Sequence, residues 1–95
     1  MKSRRSIDLS KLTLRQFMTL VTRPPLYQVR DLVERTGLPQ PRCSEVLRGI
    51  RIYPAGLARV REEVGLAKDE ALFDRLLENS AREAEVKGSH GGSDE

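Results

Sequence analysis

Five polar side chains with hydrogen-bonding ends are grouped within a short stretch of the chain. They are a glutamine, two arginines, a serine and a glutamate: Gln40, Arg42, Ser44, Glu45 and Arg48. Amide, guanidinium, hydroxyl and carboxylate groups are the ones that hydrogen-bond to base edges in the major groove of DNA. A helix with these five on its outer face would have the chemistry needed to distinguish base pairs.

Two amphipathic patterns predict such a helix and a partner for it. In each pattern, inward-facing residues recur at the helical spacing i, i+3, i+4 and i+7: Val29, Leu32, Val33 and Thr36 in the first, and Cys43, Val46, Leu47 and Ile50 in the second. Gly37 between them suits the left-handed conformation that ends a helix, and Pro41 is tolerated in a first helical turn. The sequence therefore predicts a helix-turn-helix whose second helix spans residues 41–49.

Three further helical patterns surround this motif. A capping box, Thr13 with Gln16, begins the first helix; another helix begins near Pro54 and ends at Gly65; the last runs from about residue 68 to residue 84. No strand pattern of useful length occurs, so we predict an all-α fold, a compact five-helix domain. The chain would then have three parts: a basic N-terminal arm at 1–9, a helix-turn-helix DNA-binding domain at 10–85 and a disordered Gly/Ser-rich tail at 86–95.

The positive charge is concentrated in the half that contains the motif. The net charge is +3; residues 1–51 carry 11 Lys and Arg against 4 Asp and Glu, a net +7, and residues 52–95 carry 6 against 10, a net −4. A basic half of this kind suits a partner that is a polyanion.

The other reactive residue types occur singly. Cys43 lies on the apolar face of its helix, which favours a small buried hydrophobe over a nucleophile. His90 has no Cys or His partner at metal-binding spacing, and the sequence contains no phosphate-binding loop or catalytic triad. We therefore expect no enzyme activity, no cofactor, no metal and no small-molecule ligand. One cysteine and the lack of a long apolar run favour a cytoplasmic protein without a membrane segment, located at the nucleoid when bound to DNA.

The segment from Val29 to Gly49 resembles the helix-turn-helix of the phage repressor and Cro-like family. Within it, residues 37–40 (Gly-Leu-Pro-Gln) match the family's turn and the glutamine that opens its recognition helix, the helix that enters the major groove. Cys43 and Val46 occupy the family's two buried aliphatic positions, and Gly49 matches a common end of that helix. The surrounding five-helix pattern also fits, so the resemblance covers roughly residues 10–80.

Two positions depart from the family pattern. Val33 stands where the family usually has alanine, and proline flanks Gln40 on both sides. The lac-repressor-like family is a second match over the same stretch, but the hinge segment that follows in that family is not recognisable here.

The resemblance implies a role for each exposed polar side chain. Gln40 would pair with adenine and Glu45 would accept a hydrogen bond from cytosine, while Arg48 would reach guanine or a phosphate. Arg42 and Ser44 would also face the groove. The implied phosphate contacts, which position the protein without reading sequence, are Gln28, Arg30, Arg51, Lys2, Arg4 and Arg5.

The implied function is that of a sequence-specific regulator of transcription, a repressor, which binds double-stranded DNA. Two alternatives remain open. One is a protein-binding helical module, such as an antitoxin or a phage inhibitor, that reuses the fold. The other is a non-regulatory DNA-binding component of a plasmid or recombination complex. The Gln, Arg, Ser, Glu and Arg side chains favour DNA over a protein partner.

A homodimer is expected because one recognition helix covers too few base pairs for useful discrimination. On the last helix, Leu72 and Leu76 lie one turn apart, as do Phe73 and Leu77. If one pair covers the domain core, the other is available to a second subunit, and we predict a dimer interface at these four residues. The alternative is that all four fill the core of one chain, since small domains need every apolar group they have.

Overall fold

Helices form all the regular secondary structure in the part of the chain that the structure describes. The computed structural model describes the backbone of residues 8–91 and the side chains of residues 8–86. A short 3-10 helix at Leu9–Lys11 precedes five α-helices: α1 (Leu14–Leu20), α2 (Val29–Thr36), α3 (Gln40–Leu47), α4 (Pro54–Glu63) and α5 (Glu70–Gly91). No strand is found across residues 8–91, so the prediction of an all-α fold with five helices is confirmed.

Local sequence explains where these helices begin and end. At the start of α1, Gln16 N–H donates to Thr13 Oγ1 (3.2 Å) and Thr13 N–H donates to Gln16 Oε1 (2.9 Å), which confirms the predicted capping box. Both α3 and α4 carry a proline in their first turn, where a missing N–H leaves no hydrogen bond unmade. Helix α2 ends at Gly37, whose φ of 79° is left-handed.

The core draws apolar side chains from all five helices. Its fully buried members include Leu14 and Met18 of α1, Leu32 of α2, Val46 of α3 and Val60 of α4. Helix α1 and the 3-10 helix pack on α5, α2 packs on α3 and α4, and α3 also contacts α4 and α5. Helix α5 is thus covered by α1, α3 and the segment that precedes α1.

This arrangement corrects the prediction of a dimer interface on α5. Phe73, Leu76 and Leu77 are at most 1% exposed, and Leu72 is partly buried against the same core. The prediction that Phe73, Leu76 and Leu77 contact a second subunit is therefore wrong, because these side chains are buried within one chain; for Leu72, which is only partly buried, it stays a prediction. The alternative stated above, that all four contribute to the core of one chain, describes the observed packing.

Helix α5 also extends further than the sequence predicted. It runs to Gly91 rather than ending near Ala84, so residues 86–91 are helical and not part of a disordered tail. Alanine, glutamate, arginine and lysine, which have high helix propensity, fill most of residues 81–87 without a proline to interrupt them. The remainder of the predicted tail, residues 92–95, and residues 1–7 of the predicted arm lie outside the described residues.

Backbone packs directly on backbone where the segment after α3 meets α5. Gly49 follows the end of α3 with a left-handed φ of 83°, and a Cβ atom at this position would lie 2.7 Å from the Cα atom of Ala81. It would also overlap the backbone nitrogen of Ala81 and the carbonyl oxygen of Leu77. Only glycine combines this conformation with so close an approach.

Two side chains of α5 bind the segment around the start of α1. Leu14 N–H, which has no partner within α1, donates to Ser80 Oγ (2.9 Å), and Ser80 Oγ donates to Leu76 O (2.8 Å). Asn79 Nδ2 donates to the carbonyl oxygens of Ser10 (2.7 Å) and Leu12 (2.8 Å). These bonds hold the start of α1 and the 3-10 helix against α5.

Replacement of Gly49 by alanine should destabilise the domain far more than the same change at Gly37. Both residues have a positive φ, and that strain alone costs about 1–2 kcal/mol in an alanine. Nothing lies within 4 Å of a Cβ at Gly37, whereas a Cβ at Gly49 meets the α5 backbone. We expect a loss of about 1–2 kcal/mol for Gly37→Ala and at least about 3 kcal/mol for Gly49→Ala, once overpacking is added. Urea unfolding followed by circular dichroism measures both; equal losses would contradict the packing described here.

Removal of the Ser80 hydroxyl should also destabilise the fold. Ser80 is 2% exposed, so Ser80→Ala leaves the Leu14 N–H buried without a partner. A buried unsatisfied donor costs about 1–3 kcal/mol. Ser44→Ala on α3 is the matched control, because Ser44 is partly exposed, and we expect a change of about 0.5 kcal/mol or less. The midpoints of thermal unfolding of the two variants are compared. Equal midpoints would show that the Ser80 bond does not contribute to stability.

Candidate nucleic-acid interface

Helices α2 and α3 form a pair joined by the three-residue turn 37–39. Their predicted apolar faces lie toward the core: Leu32, Cys43 and Val46 are fully buried, and Val29 is partly buried. Ile50, the last residue of the predicted pattern, lies beyond the end of α3 and is 46% exposed. The apolar positions before Ile50 are therefore sufficient to pack α2 against α3. Their burial leaves the polar side of α3 facing away from the core.

The Thr36 hydroxyl connects the end of α2, the turn and α3. It donates to Leu32 O (2.8 Å) and accepts from Leu38 N–H (3.2 Å), and it lies 3.6 Å from Cys43 Sγ. From α4, Arg59 Nε donates to the Thr36 carbonyl oxygen (3.2 Å), which satisfies one of the carbonyls left without a partner at a helix end. The angle between α2 and α3 is thus held by hydrogen bonds as well as by apolar contact.

Cys43 contributes packing at the centre of this pair. It is fully buried, and burial raises the pKa of its thiol, although the hydrogen bond with Thr36 acts in the opposite direction. A raised pKa disfavours the thiolate, which is the reactive form of cysteine. The thiol at this position behaves as a small apolar group.

The five polar side chains proposed as base readers all reach the surface around α3. Gln40 and Arg48 are exposed, and Arg42, Ser44 and Glu45 are partly exposed. Arg42 Nη1 lies 3.3 Å from Glu45 Oε1, so two of the five form an ion pair across one turn. Exposed ion pairs contribute about 0–1 kcal/mol. Arg42 and Glu45 can therefore give up this ion pair and contact a ligand with a small loss of free energy.

The residues proposed as phosphate contacts near the start of α2 are accessible. Gln28 and Arg30 are exposed, and Gln28 is the N-cap residue of the helix. The carboxylate of Asp31 accepts from Tyr27 N–H (2.9 Å) and Gln28 N–H (3.0 Å). The two backbone N–H groups that precede α2 are therefore bonded within the chain, and the side chains of Gln28 and Arg30 are exposed to any anion at this end.

The remaining proposed phosphate contacts lie further from α2. Arg51 Nη1 is 3.1 Å from Asp74 Oδ1 of α5, an ion pair in which both side chains are about half exposed. The arginine that follows α3 thus already has a carboxylate beside it. Lys2, Arg4 and Arg5 lie outside the described residues.

One basic residue beside α3 was missed by the sequence analysis. Arg15 of α1 and Arg48 line the same groove, about 230 Å³ in volume, at the C-terminal end of α3. Leu47 and Glu83 contribute to its walls. No local pattern indicates this neighbourhood, because the two arginines are brought together only by the packing of α1 and α3 on α5.

Several arginines elsewhere on the surface are paired with carboxylates. On α4, Arg59 lies within 3.8 Å of Glu62 and 3.4 Å of Glu63, and Arg61 Nη1 lies 3.7 Å from Glu70. By contrast, Arg15, Arg30 and Arg48 form no ion pair with any residue that the structure describes. Unpaired cations therefore lie beside α2 and the C-terminal end of α3, whereas both arginines of α4 are paired.

Neither a metal centre nor a membrane span is found in the described part of the chain. Across residues 8–86, no three His, Cys, Asp or Glu side chains are grouped so as to hold a metal ion. No helix within the described range is sufficiently long and apolar to cross a bilayer.

Three properties together define the candidate site: a buried contact between α2 and α3, a polar outer surface on α3, and unpaired cations beside both helices. Such a surface suits a polyanion with hydrogen-bonding groups. No family model, curated protein or solved structure matches this chain.

Proposed function

We propose that this chain is a sequence-specific regulator of transcription that binds double-stranded DNA with α3 in the major groove. The observation that carries the proposal is the outer surface of α3, where Gln40, Arg42, Ser44, Glu45 and Arg48 all reach solvent. The opposite side of the same helix is built into the core. The polar side chains are therefore presented by a rigid element, as base recognition requires.

The size of α3 supports this mode of binding. With its side chains an α-helix is about 10–12 Å in diameter, and the major groove, about 12 Å wide, admits one such helix. At eight residues and 1.5 Å per residue, α3 is about 12 Å long, so it contacts a few base pairs when it lies in the groove.

The pair formed by Arg42 and Glu45 suits discrimination between base pairs. Arginine donates two hydrogen bonds to guanine, and glutamate accepts from the amino group of cytosine. In the unbound protein each side chain orients the other at 3.3 Å. The carboxylate also disfavours placement of α3 against phosphates, so incorrect positions on DNA are penalised.

We further propose that binding represses transcription and that two chains bind together. Occupation of a promoter is sufficient for repression by exclusion, and it needs no surface beyond the one described. Two-fold dimers on half-sites about 34 Å apart are the usual means by which helix-turn-helix domains gain specificity. The interface of such a dimer lies away from the buried stripe of α5, since those side chains are in the core of one chain.

A protein-binding module is the second candidate, and one surface favours it. Tyr27 is 62% exposed beside an open groove of about 390 Å³ that also contains Leu26, Asp31 and Glu34. Exposed aromatic side chains are enriched where proteins bind other proteins. This groove lies at the start of α2 and does not include the outer side chains of α3, so substitutions on α3 separate the two functions.

Substitutions on α3 should reduce specific binding to DNA. The preferred site is first selected from random double-stranded DNA, and affinities are then measured by fluorescence anisotropy at one salt concentration. We expect Gln40→Ala and Arg42→Ala each to lose about 1–3 kcal/mol on the preferred site and to relax preference at one base pair, because a base-edge contact is removed. Arg75→Ala is the control: Arg75 is exposed on α5 and lies 4.0 Å from Glu78. A selection that yields no enriched sequence would refute the proposal.

The complex with the selected DNA should contain two chains. Sedimentation of the protein with a labelled site gives the mass of the complex, and the selected sequence should be an inverted repeat with half-sites about one helical turn apart. One chain per site on a sequence without symmetry would show that the domain binds DNA as a monomer.

A further inference from the structure

We infer that a basic groove across α1 and α5 binds the phosphate backbone of DNA next to the segment contacted by α3. The basic groove is defined by four cationic side chains: Lys11, Arg15, Arg48 and Arg82. This inference rests on the proposed function, which it extends by assigning a role to the surface beside the C-terminal end of α3. The role is sequence-independent, because phosphates carry no base information.

Two adjoining depressions place these cations in one row. The first, about 230 Å³, is lined by Arg15 and Arg48, and the second, about 370 Å³, is lined by Lys11 and Arg82. Glu83 lines both, so the two depressions are neighbours on the surface. The four cations therefore surround two neighbouring depressions, one beside the end of α3 and the other beside the 3-10 helix and α5.

The protein neutralises only part of the charge of this row. All four cations are exposed, and none forms an ion pair with a described residue. The arginines that do form such pairs lie elsewhere: Arg42, Arg51, Arg59, Arg61 and Arg75. Glu83 is the only carboxylate among the residues that line the two depressions. The carboxylate of Asp8 also interacts with Lys11, so two carboxylates offset the four cations and a net charge of +2 is left to attract an external anion.

The backbone beneath the row is held rigidly. Arg15 follows Leu14, whose N–H is bonded to Ser80 on the floor of the first depression. Arg48 precedes Gly49, which packs on the α5 backbone. The separation between the two arginines is therefore set by the fold, and no loop has to be ordered when a ligand binds.

DNA is the polyanion that this position favours. The two phosphate backbones border the major groove, so a residue at the end of a helix that lies in the groove is close to one of them. Arg48 stands at that end of α3, and the row continues outward from it. The backbone beyond the contacted base pairs would follow the same direction, so each cation would add a phosphate contact and release counterions.

The test compares charge variants on a short and a long DNA. The short duplex contains only the selected site, and the long duplex adds about one helical turn, roughly 10 base pairs, on each side. We expect Arg15→Gln and Arg82→Gln each to lower the slope of log K against log salt by about 1 on the long duplex. The slope should change less on the short duplex, and the preferred sequence should stay the same. Arg15→Lys should restore the slope, because it keeps the charge.

Two matched variants control for effects on folding and on total charge. Glu83→Gln removes the only carboxylate of the row and should strengthen binding to the long duplex, which a merely structural disturbance would not do. Arg75→Gln removes a cation that lies beside Glu78 on α5 and should leave the slope unchanged.

The possible results separate this inference from the proposed function. If the parent binds the selected DNA but Arg15→Gln and Arg82→Gln bind with the parent's slope on both duplexes, the inference is overturned and the proposed function stands. If the parent selects no DNA, both fail. If poly-glutamate competes as effectively as DNA at equal charge concentration, the groove serves an acidic protein surface, and the assignment to DNA is overturned.

Discussion

The close approach of Gly49 to α5 is the contact on which the position of α3 depends. Because no side chain separates the two backbones there, the end of α3 rests directly on the residues between Leu77 and Ala81. Helix α5 in turn carries α1 through Ser80 and the 3-10 helix through Asn79. One long helix thus fixes the position of α1 and of the exposed end of α3 in a single frame. The Thr36 hydroxyl completes that frame, because it bonds both the turn at Leu38 and the Cys43 thiol of α3.

The distribution of ion pairs divides the surface into two parts with different properties. Along α4 and the outer side of α5, carboxylates accompany the arginines, and these pairs mainly solvate the helices. Around α3, Arg42 is paired with Glu45 and Arg51 with Asp74, whereas Arg15 and Arg48 form no ion pair with any described residue. A net charge of +3 over the whole chain hides this division. The local balance, and not the total, is what attracts a polyanion to one side of the domain.

Local patterns were sufficient to predict the helices and most of the candidate site. The ends of the helices are set by local features: the capping box at Thr13, the prolines in the first turns of α3 and α4, and the left-handed Gly37. Each acts within a few residues, so the local sequence is sufficient to predict where a helix begins or ends. Periodicity correctly indicated which side of α5 is apolar. It could not indicate whether that side meets the same chain or a second one, because this depends on how α1 and α3 fold back over Phe73 and Leu76. The neighbourhood of Arg15 and Arg48 was missed for the same reason: it is created by long-range packing.

The buried thiol of Cys43 can report on the transient separation of α2 from α3. It is the one cysteine in the 95-residue sequence, and it lies fully covered at the contact between α2 and α3. A thiol reagent modifies it when these two helices separate. Where the helices close faster than the reagent reacts, the labelling rate divided by that of a free thiol gives the equilibrium constant for the opening. The free energy of opening of the contact between α2 and α3 can thus be measured at Cys43 itself, with no introduced cysteine and no denaturant. A bound partner that requires the pair intact would slow the same reaction in proportion to its occupancy.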